Sequence, residues 1–471
     1  MSYTVPFEVP VLSYDRALHD LHASLKFGIQ PLLETVEDML AECGDPDLCY
    51  DCVQVAGTNG KTSTSRYAAA ILRGEGLHVA LYTSPELVSY TERMEIDGAP
   101  VSEEQFAHGM SAALEAGRRV NARRIEAGER PYDITEFDLL TVAALVIYAE
   151  VGVDVAVLEV GMGGRWDAMS AAKSIRAVAV SGVGLDHTRI LGDTLEAIAG
   201  EKAAVIQTGR SCVLGVGTAT PESVERVFLD RCASEGVDPV LLRPNHLEDA
   251  AGEMHPGVPL AHEDMSHATF EVTGRPEGLG MPLELDVTTS QAVYSRLHAL
   301  KPAYQAANIA CAVVLSENFL SRTLDIERLR ASVQRCPTPG RFDVVRHEPL
   351  ALIDACHNPQ SVQTFLGAVH AMEPDVSMRP VLLAAVLADK DVEGIVALLA
   401  KEFPRVYVTQ TKSPRALAAG ELGRLFEAAG AEVAGVYLTV DEAMAALSDV
   451  SYVACGSITL AGEIAELASG C

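Results

Sequence analysis

Val55-Ala56-Gly57-Thr58-Asn59-Gly60-Lys61-Thr62-Ser63 is the point where an apolar run gives way to a helical pattern. Val53 and Val55 belong to a strand, Gly57 to Gly60 to a turn, and Gly60-Lys61-Thr62 to the start of a helix. Strand, glycine turn and helix N-terminus together make a phosphate cradle. The glycines let successive N–H groups point at anionic oxygens, and the helix end adds partial positive charge. Lys61 is placed to reach terminal phosphates, and the Thr62 hydroxyl to ligate Mg²⁺. The spacing departs from the general G-x-x-x-x-G-K-[ST], whose first glycine would fall at Val55. A glycine turn without a ligand is the alternative for Gly-Lys-Thr alone.

Outward from this loop the pattern alternates. Strands are expected at 51–56, 78–83, 154–160, 176–182 and 211–216, with helices near 62–73, 102–127, 135–150 and 194–206. Asp154-Val155-Ala156-Val157-Leu158-Glu159-Val160 is apolar almost throughout, as a strand covered on both faces should be. Short strands alternating with helices imply a doubly wound α/β domain. Two helices are expected before it, between Tyr14 and Glu42, separated at Phe27-Gly28-Ile29. Residues 243–290 read as loops and a small β subregion, followed by helices near 302–317 and 325–334. Cys336-Pro337-Thr338-Pro339-Gly340 is a breaker cluster, which divides the chain into 1–336 and 337–471. Beyond it strands are expected near 350–355, 380–386, 405–409, 434–438 and 451–455, a smaller Rossmann-like domain without a G-x-G-x-x-G fingerprint.

A chain of 471 residues calls for two or three domains. Its formal net charge of −29 argues against nucleic-acid or anionic-membrane partners. No basic-then-apolar leader and no membrane-length apolar run is visible, so a cytoplasmic location is expected. Cys49-Tyr50-Asp51-Cys52 lacks a second ligand pair and is read as chance spacing rather than a zinc site. Cys212, Cys311, Cys356 and Cys455 read as reduced core thiols. His246, His255, His262 and His267 match no ligand motif and read as surface histidines.

Ligands in α/β sheets bind beyond the C-terminal ends of the strands, and polar residues collect there. Glu159 ends one strand, Ser84 follows another, and Gly184-Leu185-Asp186-His187 follows a third. A carboxylate at the end of an apolar strand is costly without a cation. Ser84, Glu159 and His187, with Lys61 and Thr62, therefore suit Mg²⁺ or Mn²⁺ shared with nucleotide phosphates. Lys202, at the start of an Ala-Ala-Val-Ile run, reads equally as a snorkelling side chain.

Segments in one order along nearly the whole chain carry a resemblance: LKFGI, VAGTNGKTS, TSPEL, ITEFDLLTVAA, LEVGMGGRWDA, GLDHTRILGDTLEAIAGEKA, YQAANIACA, PGRFDV, IDACHNP, LADKD, TKSPRAL and CGSITLAGE. The chain resembles the Mur ligase superfamily, and within it the folylpolyglutamate synthase/dihydrofolate synthase branch. The resemblance implies a P-loop NTPase-like Mur ligase central domain and a smaller Rossmann-like C-terminal ligase domain. It implies ATP held by Gly57, Thr58, Asn59, Gly60, Lys61 and Thr62, with Asn308, Arg341 and Asp354 also on the nucleotide. Magnesium, as two ions, is implied at Thr62, Ser84, Glu159, His187 and a carbamylated Lys202. His357 would face the transferred phosphoryl group or the incoming glutamate. The pterin is implied at Phe27, Gly28, Ile29 and Gln30, at Thr135, Glu136, Phe137 and Asp138, and near Trp166. The substrates would be ATP, L-glutamate and dihydropteroate or a reduced folate, and the enzyme a monomer.

Four residues at three places depart from the family's usual ones: Glu86 after Ser84-Pro85, Met169-Ser170 after Asp167-Ala168, and Tyr304 before Gln305. They surround the substrate and nucleotide pockets. A Mur-type ligase on another substrate and a nucleotide-binding homologue without ligase activity are the alternative readings.

Overall fold

The computed structural model describes residues 3–24, 32–248, 254–256 and 265–469. The proposed break and pterin contact at Phe27, Gly28, Ile29 and Gln30 lie outside the described residues, as does His262.

The first sheet contains β1 (Asp51–Ala56), β2 (Val79–Tyr82), β3 (Met94–Ile96), β4 (Ala99–Pro100), β5 (Val155–Glu159), β6 (Ile175–Gly182), β7 (Ser211–Gly217) and β8 (Pro239–Pro244). A short pair, β9 (His246–Glu248) and β10 (Met254–Pro256), stands apart, and β11 (Ser266–Gly274), β12 (Leu283–Thr288) and β13 (Val293–Ala299) return to the first sheet. Its order is β13-β12-β11-β8-β7-β6-β1-β5-β2-β3-β4. The strands from β11 through β2 are parallel, and the two margins are antiparallel.

β1 lies between β5 and β6, so the chain reverses its direction of winding there and opens a crevice at the strand ends. Alternation builds both faces. Cys52, Ala56, Ala156 and Leu158 pack with the layer that includes helices Glu103–Glu126 and Glu136–Val151. Val53, Val55, Val155 and Val157 pack with helices Lys61–Gly74 and Gln305–Leu320. Burial on both sides is why these strands read as continuous apolar runs.

The second sheet contains β14 (Asp343–Arg346), β15 (Ala351–Ile353), β16 (Val381–Ala384), β17 (Arg405–Val408), β18 (Glu432–Val436) and β19 (Tyr452–Cys455), in the order β14-β15-β19-β16-β17-β18. All neighbours are parallel except β14 on β15.

The observed strands differ from the sequence expectation mainly at the margins. The β subregion after residue 243 is an extension of the first sheet rather than a separate patch. Its inward residues Ala268, Phe270, Leu283, Leu285, Val287 and Leu297 join the core beside helix Gln305–Leu320, while intervening residues face outward. Such half-covered strands carry a weaker apolar signal than the central ones. Cys49 is exposed and Cys52 buried, with the Ser174 hydroxyl 3.3 Å from the Cys52 sulfur. Among the described residues no helix is long and apolar enough to cross a membrane.

One loop of the first unit reaches the second. Leu87 packs against the cluster that holds Ala351, Ile353, Leu383 and Leu460. A Cβ on Gly340 would lie 3.1 Å from the Leu87 side chain, and one on Gly462 would collide with the Leu87 carbonyl. The Glu92 carboxylate stiffens this loop by accepting from the N–H groups of Leu87, Val88 and Ser89. Gly462→Ala is expected to lower stability by about 1–3 kcal/mol, as overpacking against backbone does. Denaturant unfolding checks it, and an unchanged midpoint would contradict the close docking.

Candidate active site

The crevice between β1, β5 and β6 collects the phosphate loop. Gly57 follows β1, and Gly60 adopts φ 86° before helix Lys61–Gly74 begins. Two neighbours demand these glycines. A Cβ on Gly57 would strike the Ser181 hydroxyl, and one on Gly60 would strike the Asn308 side-chain oxygen. Asn308 therefore lies against the loop, its amide donating to Gln305 Oε1 at 2.8 Å. Thr58 is tied to the end of β6: its N–H donates to Gly182 O (2.8 Å), and its hydroxyl accepts from Gly184 N–H (2.9 Å). Ser181 Oγ donates to Asn59 O at 2.6 Å. The Lys61 ammonium folds back on Thr58 O at 3.2 Å.

Glu159 ends β5 beside this loop and is 1% exposed. One carboxylate oxygen accepts from the Thr62 hydroxyl at 2.8 Å and the other from Ser84 N–H at 3.3 Å. Burial pushes its pKa up, and the nearby Lys61 and Arg341 charges pull it back. Among the described residues no lysine or arginine pairs with it directly. A buried carboxylate beside two hydroxyl residues and short of a cation is a donor set that fits Mg²⁺, a hard ion that keeps water and phosphate oxygens as further ligands. No group of three or more His, Cys, Asp or Glu side chains converges among the described residues, so the site is poor in protein ligands of those types.

Lys202 lies nearby, 4% exposed, with its ammonium donating to Gly57 O at 2.9 Å. Burial, reinforced by Lys61, lowers its pKa to about 8. His187 has left-handed backbone (φ 50°) and is exposed, with Asp186 3.7 Å from its ring.

The second unit adds three residues. Arg341 is half-buried, and its charge is felt by Glu159, Asp354 and His357. Asp354 accepts from Phe342 N–H (2.8 Å) and Cys356 N–H (2.9 Å). Burial raises its pKa, and Arg341 lowers it. His357 places Nδ1 2.9 Å from Ala355 O, and burial lowers its pKa. Donation from Nδ1–H leaves Nε2 as the lone-pair nitrogen. The crevice thus brings together Lys61, Thr62, Ser84, Glu159, Lys202, Asn308, Arg341, Asp354 and His357, with His187 on its exposed rim.

The expected pterin residues divide. Thr135 and Asp138 form the capping box of helix Glu136–Val151, with Asp138 N–H to Thr135 Oγ1 at 3.2 Å and Thr135 N–H to Asp138 Oδ2 at 2.9 Å. Glu136 accepts from the Tyr90 hydroxyl at 3.0 Å. Phe137 stands edge-on to Tyr82 at 6.1 Å, and a Cβ on Gly161 would touch its ring at 2.8 Å. Trp166 is 51% exposed and stacks on no other ring among the described residues.

Sequence reasoning passed over Asp167. It is 5% exposed, accepts from Met162 N–H (2.9 Å) and Met169 N–H (3.1 Å), and burial raises its pKa to about 6. Its place after the double glycine was the available signal, but only the fold reveals its burial. Of the departures, Glu86 pairs with Arg93 at 2.5 Å, Ser170 Oγ donates to Gly164 O at 2.7 Å, and Tyr304 borders Asp354.

Glu159→Gln removes a buried charge at nearly constant shape. The melting temperature is expected to hold or rise, while Mg²⁺-dependent ATP turnover falls by about 10²-fold or more. Parallel thermal melts and phosphate-release rates check this, and near-normal turnover would contradict the metal assignment.

Comparison with known proteins gives the family. Residues 340–457 match the family described as Mur ligase, glutamate ligase domain. The chain is 33% identical over 399 residues to the dihydrofolate synthase/folylpolyglutamate synthase of Mycobacterium tuberculosis, covering 83% of this chain and 76% of that relative. It is 28% identical over 473 residues to the Escherichia coli protein of the same description, covering 97% and 95%. A solved structure of Mycobacterium tuberculosis folylpolyglutamate synthase complexed with ADP and AMPPCP aligns with a TM-score of 0.77 at 27% identity, covering 97% of this chain and 98% of that one.

Proposed function

Because the chain belongs to the dihydrofolate synthase/folylpolyglutamate synthase family, we propose that its crevice joins L-glutamate to the carboxylate of a pterin substrate at the expense of ATP. It is an ATP-dependent ligase. The observation that carries the reading is the phosphate loop facing a buried Glu159, with Arg341 and Asp354 arriving from the second unit. In our reading residues 1–336 supply the nucleotide loop and pterin pocket, and residues 337–471 complete the site.

The reaction proceeds through an acyl phosphate. A substrate carboxylate oxygen attacks the γ-phosphorus of ATP, and ADP leaves. The glutamate amine then attacks the acyl carbon, and inorganic phosphate leaves. Lys61 and the loop N–H groups hold the transferring phosphoryl group, and Arg341 adds positive charge from the opposite wall. Asn308 and Asp354 orient the nucleotide. His357, kept neutral by burial and fixed by its Nδ1 hydrogen bond, offers Nε2 to accept a proton from the attacking amine. Phe137, backed by the fully buried Tyr82, forms one wall for the pterin, with Glu136 and Trp166 at its margin.

Thr62, Ser84 and Glu159 would hold Mg²⁺, which when bound neutralises phosphate charge. A carbamylated Lys202 with His187 would hold a second ion. The low pKa of Lys202 supports this, because only the neutral amine adds to CO₂, with one proton released to solvent.

Phosphate release from ATP with Mg²⁺ and L-glutamate, measured with dihydropteroate and with tetrahydrofolate in parallel, tests the assignment. Glutamate-dependent release with at least one of them is expected, and the ratio of rates assigns the preferred substrate. Release with neither, from protein that binds ATP, would overturn the reading.

The carbamate has its own readout. With ¹³C-bicarbonate, a carbamate resonance is expected to strengthen between about pH 7 and pH 9 as the Lys202 amine loses its proton. It should be missing in Lys202→Ala, whose ligation should fail without recovery in high bicarbonate. A pH-independent or Lys202-independent signal would refute the modification.

A further inference from the structure

Lys301 is a buried lysine that the reaction above does not use. It lies two residues after β13 and is 7% exposed. No carboxylate hydrogen-bonds to it among the described residues. Its ammonium instead donates to two main-chain carbonyls, Arg341 O and Phe342 O, each at 2.9 Å. Asp343 and Asp354 supply compensating charge through space. A buried ammonium is costly to keep, so its hydrogen bonds must hold something in place.

What it holds is Phe342. This residue has φ 48°, a left-handed backbone that a bulky aromatic rarely adopts. Such strain persists only where the surroundings over-determine it. Three restraints meet here. Lys301 binds the Phe342 carbonyl, Asp354 accepts the Phe342 N–H at 2.8 Å, and the ring is buried 5.7 Å from Phe365. The peptide on the N-terminal side of Phe342 belongs to Arg341, whose carbonyl Lys301 also binds. The turn therefore fixes where Arg341 leaves the backbone, and its Phe342 N–H holds one carboxylate oxygen of Asp354, which follows β15.

We propose that Lys301 is a positioning residue that locks the strained Phe342 turn and so aims Arg341 and Asp354 at the nucleotide. It reaches across from the first unit, so the orientation of the second unit's nucleotide contacts is set by an ammonium planted in the first. The proposal rests on Arg341 being a nucleotide contact, as read above.

The test is a double-mutant cycle with Lys301→Met and Arg341→Ala, read as ATP dissociation constant, KM for ATP and KM for the pterin substrate, with thermal melts alongside. Lys301→Met is expected to weaken ATP by about tenfold or more, with the pterin KM within about twofold of wild type. In the Arg341→Ala background the same change should cost much less, because coupled residues do not add. A merely structural lysine would lower the melting temperature and cost the same factor in both backgrounds, which would overturn the proposal. An Arg341→Ala variant with unchanged ATP affinity would instead sink the nucleotide reading of Arg341, and the proposal with it. Should Lys301→Met fail to fold, Lys301→Arg, which keeps charge and donors but shifts them, carries the same comparison. Equal losses in both backgrounds overturn the proposal there too.

Discussion

Glu159 is an ionisable carboxylate at the dry end of a parallel sheet, and the rest of the site answers to it. Neutralising a buried charge takes nearby positive potential, and the neighbouring chain supplies it from several directions. The helix beginning at Lys61 points its N-terminus at the crevice. Lys61 acts through space, Thr62 and Ser84 hydrogen-bond the two oxygens, and Arg341 adds its field from the second unit. Without these, burial alone would push its pKa further up. The same geometry explains why the second unit belongs to the site.

How that unit is seated is the second constraint. The Ser84–Leu87 segment touches Glu159 at one end and plugs the second unit's core at the other. Lys301, from the first unit, reaches the Phe342 turn of the second. Two independent contacts thus couple the proposed metal ligands and the proposed nucleotide contacts to one relative placement of the sheets. Both involve backbone groups, so side-chain relaxation can do little to absorb a misfit.

Much of the central architecture was legible. β1, β5 and β6 are covered on both faces, which makes their apolar runs unmistakable, and the glycine loop after β1 announces a ligand. The margins were less legible because β3, β11, β12 and β13 are short or half-covered and resemble loop sequence. Thr135 and Asp138 show a different limit. Threonine followed three residues later by aspartate marks a helix start, and the structure uses both side chains for that purpose. Asp167 and Lys301 were passed over because nothing local distinguishes a buried charge from a solvated one.

By itself the sequence determined the doubly wound core, the phosphate loop and the family, because these rest on local periodicity and on residue types at fixed spacing. Only the tertiary structure decided which charges are buried, which hydroxyl meets Glu159, and that Lys301 binds the carbonyls of the Arg341–Phe342 turn. Those depend on desolvation and on contacts between segments far apart in the chain. Neither leaves a periodic trace in the residues that make them.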